Sequence, residues 1–139
     1  METVILDTGP LVAYLEASEQ AHAWAAGVFR GIQSPQLTCD AVLTEAYYLL
    51  AEHQRGTERL HDLLARGVVV PVFDSTSQLD SITGLMRRYA DVPMSFADAC
   101  LVRMSELLPN TRVFTLDSDF RIYRRHGRQV IPLLMPEAT

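Results

Sequence analysis

Short apolar runs rich in β-branched residues recur along this chain, and each is followed or preceded by a longer stretch of helical periodicity. Thr3–Leu6, Gln36–Thr38, "VVVPVF" at 68–73, "RVFTL" at 112–116 and "QVIPLL" at 129–134 read as strands. Between them, a helix opens at Thr8 with Pro10 in its first turn and runs to about residue 17. Ser18 caps a second, "EQAHAWAAGVFRGI". Asp40 caps a third, "AVLTEAYYLLAEHQR", which Gly56 ends, and Thr57 caps a shorter one stopped by Gly67. Further helices span residues 75–89 and 95–108, and "SDFRIYRR" forms a helical turn ended by Gly127. Strands separated by helices require crossover connections, so the expected class is α/β, with a small, mostly parallel sheet and helices on both faces. Pro71 cannot donate to a ladder and places its strand at an edge. One domain over 1–139 is expected at this length.

In open sheets of this kind ligands bind at the carboxyl ends of the strands, and that edge is where the acids fall. In "VILDTG" Asp7 directly follows an apolar strand. "VFTLDSDF" repeats the arrangement with Asp117, and Asp119 comes two residues later. Asp98 lies three residues after Ser95, in the first turn of its helix, where it is either a capping-box partner or a ligand. Glu45 falls on the shoulder of the stripe formed by Val42, Leu43, Ala46, Leu49 and Leu50. An inward-leaning glutamate is uncommon without a partner.

Four carboxylates at one edge repel. Two like charges about 5 Å apart at an effective dielectric near 20 cost roughly 3 kcal/mol. Either some stay protonated or a hard cation sits among them. An all-oxygen donor set suits Mg²⁺ or Mn²⁺, and a site of that type takes substrate phosphates as remaining ligands. The chemistry indicated is phosphodiester hydrolysis by a metal-activated water.

Composition removes competitors. All twelve cationic residues are arginine, which excludes Schiff-base chemistry, a Walker A loop and a phospho-acceptor receiver domain. A haloacid-dehalogenase phosphatase needs a second aspartate where Gly9 stands. The two cysteines, Cys39 and Cys100, sit in apolar stretches and read as buried thiols, and the four histidines are scattered without zinc-binding spacing. No apolar run reaches membrane-spanning length and no signal-peptide pattern opens the chain, so a cytoplasmic location is expected.

The ordered set Asp7 in "VILDTG", Glu45 in "LTEAYYLL", Asp98 in "SFADA" and Asp117 in "FTLDSDF" resembles the PIN-domain family, and within it the VapC-type toxin ribonucleases. The resemblance runs the length of the chain. It implies a three-layer α/β/α fold, a Mg²⁺- or Mn²⁺-dependent endoribonuclease, and often a homodimer neutralised by a small antitoxin. It gives metal or catalytic roles to Asp7, Glu45, Asp98 and Asp117, with Asp119 as a secondary ligand. Thr8, Ser95 and Thr115 match hydroxyl positions that either orient the acids or cap helices.

Two alternatives stand beside this reading: a structure-specific DNA nuclease, and a non-catalytic RNA-binding or regulatory module on the same fold. The segment "FRIYRRHGR" at 120–128 carries Arg121, Arg124, Arg125 and Arg128 beside Phe120 and Tyr123. Arginines interleaved with aromatics suit phosphate contact and base stacking, despite a net charge of −5. Tyr47 and Tyr48 point about 100° apart on one helix, so one of them is expected to face a second copy or an antitoxin.

Overall fold

The structure is a computed structural model describing residues 2–32 and 35–137. Its central sheet is built from β1 (Thr3–Leu6), β2 (Gln36–Thr38), β3 (Val69–Pro71), β4 (Thr111–Phe114) and β7 (Leu133–Leu134). The strand order is β3-β2-β1-β4-β7, and every neighbouring pair is parallel. Helices α1 (Thr8–Leu15), α2 (His22–Gly31), α3 (Asp40–Leu49), α4 (Gln54–Ala65), α5 (Leu79–Arg88) and α6 (Phe96–Leu107) flank it. The result is the three-layer α/β/α arrangement, with Pro71 on an edge strand as expected. No helix among the described residues is long and apolar enough to cross a membrane.

Two of the inner strands, β1 and β4, turn apolar toward their carboxyl ends, where both faces are covered. Val4, Ile5, Leu6, Val113 and Phe114 are all inaccessible to solvent. Phe114 meets Trp24 edge-on at 5.4 Å and Phe29 at 5.7 Å, while Tyr14 stacks on Phe29 at 4.0 Å. Each such buried side chain contributes about 1.5–3 kcal/mol over leaving it in water, so β1 and β4 are the most firmly held part of the sheet. That rigidity is passed to whatever leaves their carboxyl ends.

Several local boundaries differ from expectation. Asp7, not Thr8, is the N-cap of α1, its Oδ1 accepting the Thr8 amide at 2.7 Å. The second helix starts at His22 rather than at Ser18, because the Glu16 carboxylate takes both the amide and the hydroxyl of Ser18 and holds a turn there. Asp40 is the first residue of α3 and Cys39 its N-cap, without a side-chain capping bond. α3 stops at Leu49, and the Leu50 carbonyl receives the His53 amide and the Thr57 hydroxyl. Gly56 therefore lies inside α4 as a packing glycine: a Cβ there would come within 3.0 Å of Leu50 Cδ2.

The segment after β4 is not one helical turn. A 3₁₀ turn at Ser118–Arg121 leads into β5 (Arg124–Arg125), which pairs antiparallel with β6 (Gln129–Val130). His126 and Gly127, with φ of 52° and 83°, reverse the chain between them. The run "QVIPLL" is thus divided between the hairpin and the edge strand β7.

Candidate active site

β1 and β4 run side by side in register, with Leu6 opposite Phe114. The chain leaves both strands at the same level, so the residues that follow are brought together. The Asp7 amide donates to the Phe114 carbonyl at 3.0 Å. Thr115 then links the two acids: its hydroxyl donates to Asp7 Oδ2 at 2.6 Å, and its Oγ1 accepts the Asp117 amide at 2.9 Å. Asp117 caps the 3₁₀ turn, with Oδ1 accepting the Asp119 amide at 2.9 Å.

Asp98 arrives from the other direction, in the first turn of α6. Ser95 is the N-cap of that helix and its Oγ accepts the Asp98 amide at 3.0 Å. Asp98 Oδ2 accepts the Tyr123 hydroxyl at 2.9 Å. Glu45 reaches the same space from α3. The five acids Asp7, Glu45, Asp98, Asp117 and Asp119 line one open cavity of about 460 Å³, together with Thr8, Gly9, Pro93, Ser95 and Leu116. A larger side chain at position 9 would press on Leu116, whose Cβ lies 3.3 Å from where a Cβ would stand.

The electrostatics match this crowding. Burial pushes the Asp7 carboxyl from 3.8 up to about 7. The Thr115 and Thr8 hydrogen bonds oppose that rise, and the charges of Asp98 and Asp117 add to it. Asp98 is raised first by burial and further by Asp117, against the lowering influence of Tyr123 and Ser95. Glu45 is exposed overall, yet what burial its carboxyl has, followed by Asp98 and Asp117, raises it too. Asp7, Glu45 and Asp98 are costlier to ionise because each is at least partly withdrawn from water and because other acids are near.

Among the described residues no three acid, histidine or cysteine side chains are drawn tightly enough together to enclose an ion as they stand. The donor chemistry nevertheless fits a hard divalent cation. Such ions keep several waters and need only one or two direct carboxylates. All the donors on the cavity wall are oxygen atoms, and the Thr8 hydroxyl on that wall is buried with no hydrogen-bond partner.

The three hydroxyl positions divide. Thr115 touches the Asp7 carboxylate, Ser95 holds the start of α6 against Asp98, and the Thr8 hydroxyl is unpaired while its amide caps. Sequence reasoning assigned Phe120 and Tyr123 to base stacking. The structure corrects this, because both rings are completely buried. Tyr123 belongs instead to the wall behind Asp98, and only its closeness in sequence to Asp117 pointed there. The arginines also separate. Arg124 Nη1 turns back onto the carbonyls of Arg121, Ile122 and Tyr123 at 2.7–3.1 Å, and Arg125 Nη1 lies 3.5 Å from the Ser105 carbonyl. Arg121 and Arg128 face solvent. On α3, Tyr47 bonds His61 Nδ1 at 2.7 Å, whereas Tyr48 points outward and is 80% exposed.

Comparison with known proteins agrees with this geometry. No curated protein is significantly similar to the chain in sequence. The chain is similar in structure to VapC20 of Mycobacterium tuberculosis, a toxin that cleaves the sarcin-ricin loop. The TM-score is 0.75 at 19% identity, over 94% of this chain and all of that one. At that identity the likeness is one of fold. The PIN domain profile matches residues 4–125, nearly the whole described chain and all five cavity acids, and the protein therefore belongs to the PIN domain family.

Proposed function

We propose that this protein is a Mg²⁺- or Mn²⁺-dependent endoribonuclease and acts as the toxin of a toxin–antitoxin pair. One observation carries the catalytic part: acids from the ends of two adjacent strands and from two helices meet around a single cavity at the carboxyl edge of the sheet. The toxin part rests on the structural similarity to VapC20, itself a toxin.

Asp7, Asp98 and Asp117 would hold the cation, with Glu45 and Asp119 on the same cavity wall. When bound, the cation supplies charge neutralisation at the phosphate and lowers the pKa of a water. The protein's own contribution is positional. Thr115 and the Thr8 amide fix both oxygens of Asp7. The Asp117 side chain is held by the turn it caps. Glu45, on the cavity wall with its pKa raised, would accept a proton from the attacking water. The unpaired Thr8 hydroxyl can orient that water or a phosphate oxygen. Arg121, in the 3₁₀ turn, and Arg128, in the hairpin, would contact flanking phosphates, while Arg124 and Arg125 hold the chain between them. The outward Tyr48 and half-exposed Leu49 would contact a second copy or the antitoxin.

The test is cleavage of single-stranded RNA by purified protein. Cutting should require Mg²⁺ or Mn²⁺, stop in EDTA and disappear in Asp98→Asn with its unfolding midpoint retained. Equal cleavage of DNA of the same sequence would favour the DNA-nuclease alternative. Undiminished activity in excess chelator would end the metal-dependent reading.

A further inference from the structure

Tyr123, like Thr115, commits a buried hydroxyl to a site acid, and it does so from a large aromatic ring packed outside the cavity wall. Its ring is inaccessible to solvent and meets Tyr89 edge-on at 5.1 Å and Phe120 edge-on at 5.2 Å. Those two contacts fix the direction of the Cζ–O bond. The hydroxyl has one proton, and it goes to Asp98 Oδ2 at 2.9 Å. The backbone is fixed as well: the Tyr123 amide donates to the Asp119 carbonyl at 3.2 Å.

A buried tyrosine hydroxyl needs some acceptor, and satisfying it is a sufficient structural reason for the bond. Two features go beyond that. The acceptor is a cavity acid rather than a backbone carbonyl. The donor also belongs to the segment that supplies Asp117 and Asp119 to the same cavity, so one short stretch after β4 provides two acids and clamps a third that comes from α6. Without this tie Asp98 would be held only from its own helix, through Ser95. Partners of this type orient ligating carboxylates and increase their affinity for a cation.

We propose that Tyr123 is a positioning residue which, through its hydroxyl, holds the Asp98 carboxylate in the orientation that binds the divalent cation. This rests on the reading of Asp98 as a cation ligand. Tyr123 touches neither RNA nor cation. Removing its hydroxyl should therefore weaken the cation site while leaving the aromatic packing in place.

The experiment measures Mn²⁺ binding to the metal-free full chain, with no RNA present, by the free-Mn²⁺ signal in electron paramagnetic resonance. Wild type, Tyr123→Phe, Asp98→Asn, the double variant and Tyr89→Phe are compared, with unfolding midpoints taken in EDTA. Tyr89→Phe deletes a hydroxyl of the same aromatic cluster that accepts from the Arg124 amide rather than donating to a site acid, and serves as the control for disturbing the surrounding packing. We expect Tyr123→Phe to bind Mn²⁺ about 10–100-fold more weakly, Tyr89→Phe to bind like wild type, and Tyr123→Phe to add nothing once Asp98 is asparagine. If Tyr123→Phe binds like wild type while Asp98→Asn is weakened, the positioning role is overturned and the cation site stands. Equal weakening by Tyr89→Phe would assign the effect to packing and also overturn it. If Asp98→Asn itself binds like wild type, Asp98 is no ligand and both readings fall.

Discussion

Neutralising Asp7 should make the metal-free protein more stable, and only on the alkaline side. Asp7 as a residue is 7% exposed, and burial raises its carboxyl pKa from 3.8 to about 7. A raised pKa means that the folded state binds the proton more tightly than the unfolded state. Stability is therefore fully present below about pH 4 and is lost as pH climbs through the folded value, near pH 7. At about 1.36 kcal/mol per unit, the whole shift corresponds to roughly 4 kcal/mol, of which about 2–3 kcal/mol is lost between about pH 5 and about pH 8. Asparagine cannot ionise, so Asp7→Asn escapes that loss. It keeps an oxygen for the Thr8 amide but gives up the carboxylate that accepts from Thr115, at a cost of about 1 kcal/mol at any pH. The assay is guanidinium unfolding in EDTA at about pH 5 and about pH 8. Asp7→Asn should gain about 2–3 kcal/mol on wild type between the two conditions, and Mn²⁺ at the higher pH should close the gap by stabilising wild type alone. A difference between the two proteins that does not change with pH would refute the reasoning.

Asp98→Asn and Asp117→Asn should each abolish RNA cleavage without lowering the unfolding midpoint in metal-free buffer, since each relieves like-charge repulsion. Thr115→Val removes a hydrogen bond that lowers the Asp7 pKa, so the acidic limb of the cleavage–pH profile should move to higher pH; a limb in its wild-type position would deny Thr115 that role. Arg121→Ala with Arg128→Ala should weaken RNA binding and flatten its salt dependence, whereas Arg124→Ala should chiefly lower the unfolding midpoint, because its guanidinium serves three carbonyls of its own chain. Phe114→Ala should cost about 3–5 kcal/mol in chemical denaturation, since the ring is fully buried against Trp24 and Phe29.

Asp7 and Asp117 could be placed from sequence because acids that follow the apolar ends of two strands share one edge once those strands are parallel. Glu45 and Asp98 followed from helical phase and from a cap, both local properties. The misread elements depend on contacts distant in sequence or on side chains competing for backbone groups. Gly56 has the composition of a helix stop, and only the closeness of Leu50 makes it an interior residue of α4. Ser18 has the composition of an N-cap, but Glu16 takes its hydrogen bonds. In "FRIYRR" the aromatics and arginines gave no sign that Phe120 and Tyr123 point inward or that Arg124 and Arg125 turn back on the chain. The Tyr123–Asp98 bond spans 25 positions, and no local pattern encodes it.

The reading of the cavity as a cation site is tested most directly by growing crystals of the full chain with Mn²⁺ and measuring anomalous scattering at the manganese edge. We expect a peak inside the cavity bounded by Asp7, Asp98 and Asp117, lost in crystals of Asp98→Asn. Manganese bound elsewhere, with that cavity empty in a preparation that cleaves RNA, would contradict it.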